Sequence, residues 1–233
     1  MFAIDSLRRF IIIRVKMEKE WLKSLCNHQA SDAWTPRENL VGITGGIGAG
    51  KSVVARVLRI LGFPVYDCDM EAKHLMDSDV SLKEEIALRL GRGCVFADGS
   101  LCREAIADVI FSDNEARLWL NSRVHKAVYE EVERFSEANS EKTAFVESAI
   151  LRTSGLWRLC SSVWVVTAPE DVRVKRVEER SKLSPEKIRE RIESQKSEFH
   201  FSGLLPEEAI VMISNAPSDP VLDKLLNKTK SLL

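Results

Sequence analysis

No run of apolar residues in this chain approaches the ~20 that a membrane-spanning helix needs, and its five cysteines form no CxxC pair. The first absence argues against a helical membrane anchor. The odd count and wide spacing of Cys26, Cys68, Cys94, Cys102 and Cys160 argue against a disulfide framework or a structural zinc site and fit a reducing cytoplasm. Neither sign of charge is in excess. Thirty-four basic residues meet 35 acidic ones for a net charge of −1, so no long-range field for nucleic acid is implied. There is no internal repeat and no low-complexity tract. What is present is ordinary globular material: 233 residues, 45% hydrophobic and 30% charged, enough for one large α/β domain or a core carrying a smaller inserted one.

Residues 1–38 read as an extension of unknown role. Arg8 to Arg14 carries a short apolar stretch between arginines, too brief for a secretion signal, and Met17 is an alternative start. Regular structure is expected from Leu40-Val41-Gly42-Ile43-Thr44, an apolar run passing into glycines, the pattern of a buried parallel strand. Val53, Val54, Val57, Leu58 and Leu61 then recur at helical spacing up to Gly62, and Phe63 to Tyr66 forms a second strand ending in Asp67-Cys68-Asp69. This is a βαβ unit. Residues 70–139 read as helical throughout, with capping boxes at Ser81-x-x-Glu84 and Ser112-x-x-Glu115. Ala144 to Ser148, Val163 to Thr167 and Ile210 to Ile213 supply three further strands, and helices follow Pro169 and Ser184. The expected fold is α/β: a three-layer sandwich of the P-loop NTPase type with a five-stranded parallel sheet, an inserted helical acceptor-binding lobe over 70–139, and a lid over about 173–195.

The strongest chemical signal is Gly45-Gly46-Ile47-Gly48-Ala49-Gly50-Lys51-Ser52, which fits G-x-x-x-x-G-K-[ST] and stands between a strand and a helix. The glycines let consecutive backbone N–H groups converge on an anion, and the helix start adds its positive dipole end. Gly45, Gly46, Ile47, Gly48, Ala49, Gly50, Lys51, Ser52 and Val53 are therefore the candidate nucleotide-binding residues. Lys51 would reach the β- and γ-phosphates of ATP, and the Ser52 hydroxyl would ligate Mg²⁺. No Asn-Lys-x-Asp guanine motif is present, and Val146-Glu147 is a weak candidate for the acidic strand end of a motor ATPase. Asp67-Cys68-Asp69 falls at the carboxyl end of the second strand, the edge that faces ligands in a parallel sheet. A carboxylate there orients an acceptor hydroxyl and takes up its proton, or else it caps the next helix. Arg173, Arg176 and Arg180 share one helix face, with Arg189 and Arg191 on the next helix. They stabilise phosphoryl charge, or pair with Glu178, Glu179, Glu190 and Glu193 on a solvated face.

Together these segments resemble the dephospho-coenzyme A kinase family from about Leu40 to Leu226. The resemblance is carried by the glycine loop, by Gly62 to Asp69, by Asp98-Gly99-Ser100-Leu101-Cys102-Arg103 with Ile110-Phe111, by Ala168-Pro169-Glu170 leading to Arg176 and Arg180, and by Arg191-Ile192-Glu193-Ser194-Gln195. It implies transfer of the terminal phosphate of ATP to the ribose 3′-hydroxyl of dephospho-coenzyme A. Asp69 would be the base or hydroxyl orienter, Arg103 and His125 would lie on the acceptor side, and Arg176 and Arg180 would close over the phosphates. The catalytic set is then Asp69, Lys51, Arg176 and Arg180. The chain departs from the family pattern in three places: Val53 stands for threonine, Lys126 for the proline after the histidine, and the segment Ala149-Ile150-Leu151-Arg152-Thr153 for Pro-Leu-Leu-Phe-Glu. Two other readings share the motif, namely a kinase of another nucleoside or nucleotide and a non-catalytic nucleotide-binding regulator.

Overall fold

The structure is a computed structural model that describes residues 34–232 apart from 182, 220 and 231. The extension expected over 1–38, with the start at Met17, lies outside the described residues as far as residue 33. Five parallel strands form the sheet: β1 (Arg37–Thr44), β2 (Val65–Asp67), β3 (Ala144–Glu147), β4 (Cys160–Thr167) and β5 (Ile210–Ser214). Their order is β2-β3-β1-β4-β5. β1 begins three residues before Leu40, and the Trp34 indole N–H already donates to the Cys160 carbonyl at 2.9 Å. The sheet thus takes in residues that sequence pattern alone assigns to the extension.

Strand side chains alternate between two cores, which is why every central strand reads as a continuous apolar run. Leu40, Val146, Val163 and Val165 face one core, where they meet Val128 and Val132 of the long helix α5 (Asn114–Ala138). Val41, Ile43, Phe145, Trp164 and Val166 face the other, against Val54 and Leu58 of α1 (Lys51–Ile60) and Leu225 of α8 (Val221–Thr229). Two satellite cores complete the domain. Leu82, Ile86, Ile106 and Leu120 hold together the lobe made by α2 (Cys68–Ser78), α3 (Val80–Leu90), α4 (Arg103–Ser112) and the start of α5. Val174 and Val177 of α6 (Glu170–Arg180) pack on Ile188 and Ile192 of α7 (Pro185–Ser194), the helix pair expected from sequence as the lid.

The lobe is not helical throughout. Between α3 and α4 the chain makes a short turn and an antiparallel bridge, Val95 to Leu101, because Gly91 and Gly99 both take positive φ there. Neither expected capping box forms. Asp79, not Ser81, accepts from the Leu82 N–H at 3.1 Å and starts α3. Asp113, not Ser112, accepts from the Glu115 and Ala116 N–H groups and starts α5, while Ser112 closes α4 and turns its hydroxyl back to the Asp108 carbonyl. In each case a carboxylate sat one or two residues from the serine. It wins because a charged acceptor binds the positive helix end more strongly than a hydroxyl does. Ser184 does cap α7, ahead of Pro185 at the first helical position. No helix among the described residues is long and apolar enough to cross a membrane.

Candidate active site

All five strands run in one direction, so their carboxyl ends share one edge. Asp67 at the end of β2 is in register with Glu147 at the end of β3, which is in turn beside Ile43 at the end of β1. The glycine loop leaves β1 at this edge and delivers Lys51 and Ser52 to the start of α1. The cleft there measures about 470 Å³ and is walled by the loop, by Asp67, Asp69 and Glu147, and by Arg180, Arg191 and Gln195 of the lid.

Close approach requires the loop's glycines. Gly50 takes φ 100°, and the Asn215 carboxamide occupies the space where a Cβ would stand. Gly48 takes φ 77°, and a Cβ there would sit 2.6 Å from the Arg173 carbonyl. Lys51 Nζ donates to the Gly45 carbonyl at 2.8 Å, beneath the loop.

The carboxylates have divided roles. Asp67 accepts from the Asp69 and Met70 N–H groups at 3.1 and 3.0 Å, so it caps α2. Capping leaves Asp69, in the first turn, facing the cleft. Burial pushes the Asp69 pKa up, with the Lys51 ammonium opposing and Asp67 reinforcing the shift. Glu147 is 8% exposed, and its pKa is likewise raised by burial first and by Asp67 next. Burial pushes Lys51 down, while Glu147 and Asp69 hold it up. An ammonium and three carboxylates therefore share one partly dry site, where the ammonium favours the charged carboxylates and the carboxylates oppose one another.

A second cavity of about 100 Å³ adjoins the first, lined by Cys68, Asp69, Ala72, Val124, His125, Val128, Ser148, Ile150, Ser154 and Leu156. Asp69 belongs to both cavities. His125 stands on the wall of the second, where burial lowers its pKa and Glu198 opposes that shift.

Other residues of interest from sequence go elsewhere. Arg176 does not hang over the phosphate cleft. Its guanidinium lies behind the loop and donates to the carbonyls of Gly48 (3.4 Å), Ala49 (3.5 Å) and Asn215 (2.9 Å). Arg180, one turn further along α6, does line the cleft. Arg103 stands outside both cavities, bound to Asp77 at 2.7 and 2.8 Å. Val53 is 47% exposed and absent from the cleft wall, and its backbone N–H is donated to the Gly50 carbonyl. The residues that sequence pattern underrated are Glu147, Lys73, Arg191 and Gln195. Glu147 was findable as the last residue of a parallel strand, by the same edge rule that singles out Asp69.

The departure after β3 has its own anchor. The Glu198 carboxylate, in a residue 8% exposed, accepts from the Arg152 N–H at 2.6 Å, the Thr153 N–H at 3.0 Å and the Thr153 hydroxyl. The segment without its own carboxylate is held by one from the turn that follows the lid.

Residues 39–201 match the family described as dephospho-CoA kinase. The dephospho-CoA kinase of Porphyromonas gingivalis is 40% identical over 159 residues, 68% of this chain and 78% of that protein. That of Bacteroides fragilis is 34% identical over 190 residues, 80% of this chain and 89% of the relative. Among solved structures, TT1252 from Thermus thermophilus superposes with TM-score 0.66 at 34% identity, covering 84% of this chain and 98% of that one. Dephospho-CoA kinase from Campylobacter jejuni gives 0.60 at 22% identity over 83% and 96% of the two chains, which speaks for the fold alone.

Proposed function

The chain belongs to the dephospho-CoA kinase family and is a phosphotransferase, and from that premise we propose that its cleft moves the terminal phosphate of ATP onto the ribose 3′-hydroxyl of dephospho-coenzyme A, giving coenzyme A and ADP. The observation that carries the residue assignments is the position of Asp69, on the shared wall of the phosphate cleft and the adjoining cavity.

In this reading the triphosphate lies along the loop from Gly45 to Ser52, with inward backbone N–H groups and the α1 dipole meeting its charge. Lys51 leaves the Gly45 carbonyl for the β- and γ-phosphate oxygens. Asp69 accepts a hydrogen bond from the acceptor hydroxyl, orients it in line with the γ-phosphorus, and takes its proton as the O–P bond forms and ADP departs. Burial, which raises its pKa, makes it a better proton acceptor than an exposed aspartate. Arg180 and Arg191 meet the charge that spreads over the equatorial oxygens. His125, whose pKa burial lowers, forms part of the acceptor wall, and Arg103 serves the lobe through Asp77. Residues 39–69 and 140–233 act as the kinase core, 70–139 as the acceptor lobe and about 173–195 as the lid.

Magnesium fits this wall. It is bound through one or two carboxylates plus substrate phosphates, not in an all-protein cage, and Ser52 and Glu147 both line the cleft. The Ser52 hydroxyl and the Glu147 carboxylate would hold it, and it would supply charge neutralisation at the phosphates. Small soluble substrates, and the free thiols of Cys68, Cys94, Cys102 and Cys160, go with a cytoplasmic setting. The direct test is incubation of purified protein with ATP, Mg²⁺ and dephospho-coenzyme A. ADP and coenzyme A are expected in equal amounts. An intact, ATP-binding sample without turnover would reject the proposal, and faster transfer to a mononucleotide would move the assignment to that acceptor.

A further inference from the structure

Ile47, at the crest of the glycine loop, is held by the lid through every group it has. Its side chain packs against Val174, Val177, Ile188 and Ile192. Its carbonyl accepts from Arg173 Nε at 2.9 Å, and its N–H donates to Gln195 Oε1 at 2.9 Å. Arg173 and Gln195 stand at opposite ends of the lid in sequence, so both of its ends are fastened to the same loop residue. The lid's base cannot move without moving the loop.

The Gln195 contact has a chemical consequence. A backbone N–H can bond only the carbonyl end of a carboxamide, so this contact fixes which way the group faces. The oxygen is committed to Ile47, and the NH₂ with its two donors is left to the cleft, whose wall Gln195 helps to form with Lys51, Arg180, Arg191 and Asp69. The Ala49 N–H is donated to the Gly46 carbonyl, and Ile47 lies on the arm of the loop leaving β1, before the amides of Gly50, Lys51 and Ser52 at the start of α1. Those amides suit the inner phosphates. The phosphate that must lie toward Asp69 is the terminal one.

We infer that Gln195 reads the terminal phosphate of the nucleotide: Ile47 orients the carboxamide, and its Nε2–H donates to a γ-phosphate oxygen, so that the cleft distinguishes ATP from ADP by a neutral side chain in addition to its cations. This inference rests on the phosphotransfer reading given above. It makes Gln195 a substrate contact and Ile47 the residue that aims it.

The test compares a non-hydrolysable ATP analogue with ADP, each titrated calorimetrically with Mg²⁺ and no acceptor, on wild type, Gln195→Glu and Gln195→Met. Gln195→Glu keeps an acceptor for the Ile47 N–H but replaces both donors with charge. Gln195→Met removes the donors and the acceptor for the Ile47 N–H alike, and adds no charge. In both variants the ATP analogue should weaken about tenfold or more, as for a lost hydrogen bond to a charged group, while ADP binding stays within about twofold. Equal weakening of the two nucleotides would show a latch holding loop to lid and would overturn the inference. So would unchanged binding of both, or selectivity lost only in the Glu variant, where a charge acts from a distance. Wild-type turnover of ATP with dephospho-coenzyme A, measured on the same preparation, keeps the two questions apart: its absence strikes the kinase reading, its presence leaves Gln195 alone on trial.

Discussion

Replacing Glu198 by alanine should loosen the segment after β3 more than any surface change of similar size. Two backbone N–H groups and one hydroxyl converge on this carboxylate, from Arg152 and Thr153. A hydrogen bond to a charged acceptor contributes about 1.5–3 kcal/mol, and a donor left unpaired in a buried place costs about 1–3 kcal/mol. Part is recovered because the carboxylate no longer has to be desolvated, and because water reaches the half-buried Arg152 and the exposed Thr153. The expected loss is about 3–4 kcal/mol for Glu198→Ala, or roughly 10 °C in Tm for a chain of this size. Glu198→Gln keeps one acceptor oxygen and should lose about 1–2 kcal/mol, and Thr153→Val, which removes only the hydroxyl, about 1 kcal/mol. Thermal unfolding by circular dichroism gives the stability series. Steady-state kinetics adds a second readout: Ile150 and Ser154 line the cavity beside Asp69, so KM for the acceptor should rise before KM for ATP. A Glu198→Ala protein that melts within about 1 °C of wild type would refute the reasoning, since three lost bonds to one carboxylate cannot then be holding the segment.

Asp69→Asn should lower kcat by about 10²-fold or more, the usual share of general acid–base catalysis, with ATP affinity nearly unchanged; near-wild-type kcat would remove Asp69 from the chemistry. Glu147→Gln carries a pH signature. Burial raises the Glu147 pKa in the folded state, so the group's contribution to stability is full below the unfolded carboxylate value and is lost as pH rises through the folded one. The neutral glutamine escapes that loss. The variant should melt higher than wild type at pH 7 and converge with it below about pH 4, while turnover falls at every pH; a gap that widens on acidification would show the opposite shift. Asp79→Ala should cost about 1 kcal/mol through the lost α3 cap, whereas Ser81→Ala should change Tm by little, and the reverse ranking would restore the capping box.

Much of the architecture was legible because its causes are local. Alternating burial on two faces makes β1, β3 and β4 apolar runs, and the glycine spacing from Gly45 to Gly50 allows few other conformations. The helix starts show the limit of such reasoning. Ser81 and Ser112 fit a pattern, but Asp79 and Asp113 stood nearby and bound the helix ends instead. Pattern alone does not rank two adjacent capping groups; charge does. The candidate site was legible where one element carries it, as with Lys51, Ser52 and Asp69. It was not legible where two distant segments meet, as in Glu198 with Thr153 or Gln195 with Ile47, because no periodicity links residues so far apart in the chain.

The arginine stripe of α6 shows how one helix face comes to do two jobs. Arg173, Arg176 and Arg180 share a face, yet from first to last they span about 10 Å along the helix, more than the glycine crest they pack on. The crest has a specific need. When successive peptide N–H groups turn inward to make an anion nest, planarity turns their carbonyls outward, and each outward oxygen must find a donor. Arg173 serves Ile47, Arg176 serves Gly48 and Ala49, and Asn215 serves Ala49. Two of the three arginines are thereby consumed in holding the nest's back. Arg180, a turn beyond the crest's edge, has no loop carbonyl to meet and reaches the cleft. The loop's donors and the arginines behind it are therefore two sides of a single peptide geometry, and of the three arginines on this face Arg180 is the one that lines the cleft.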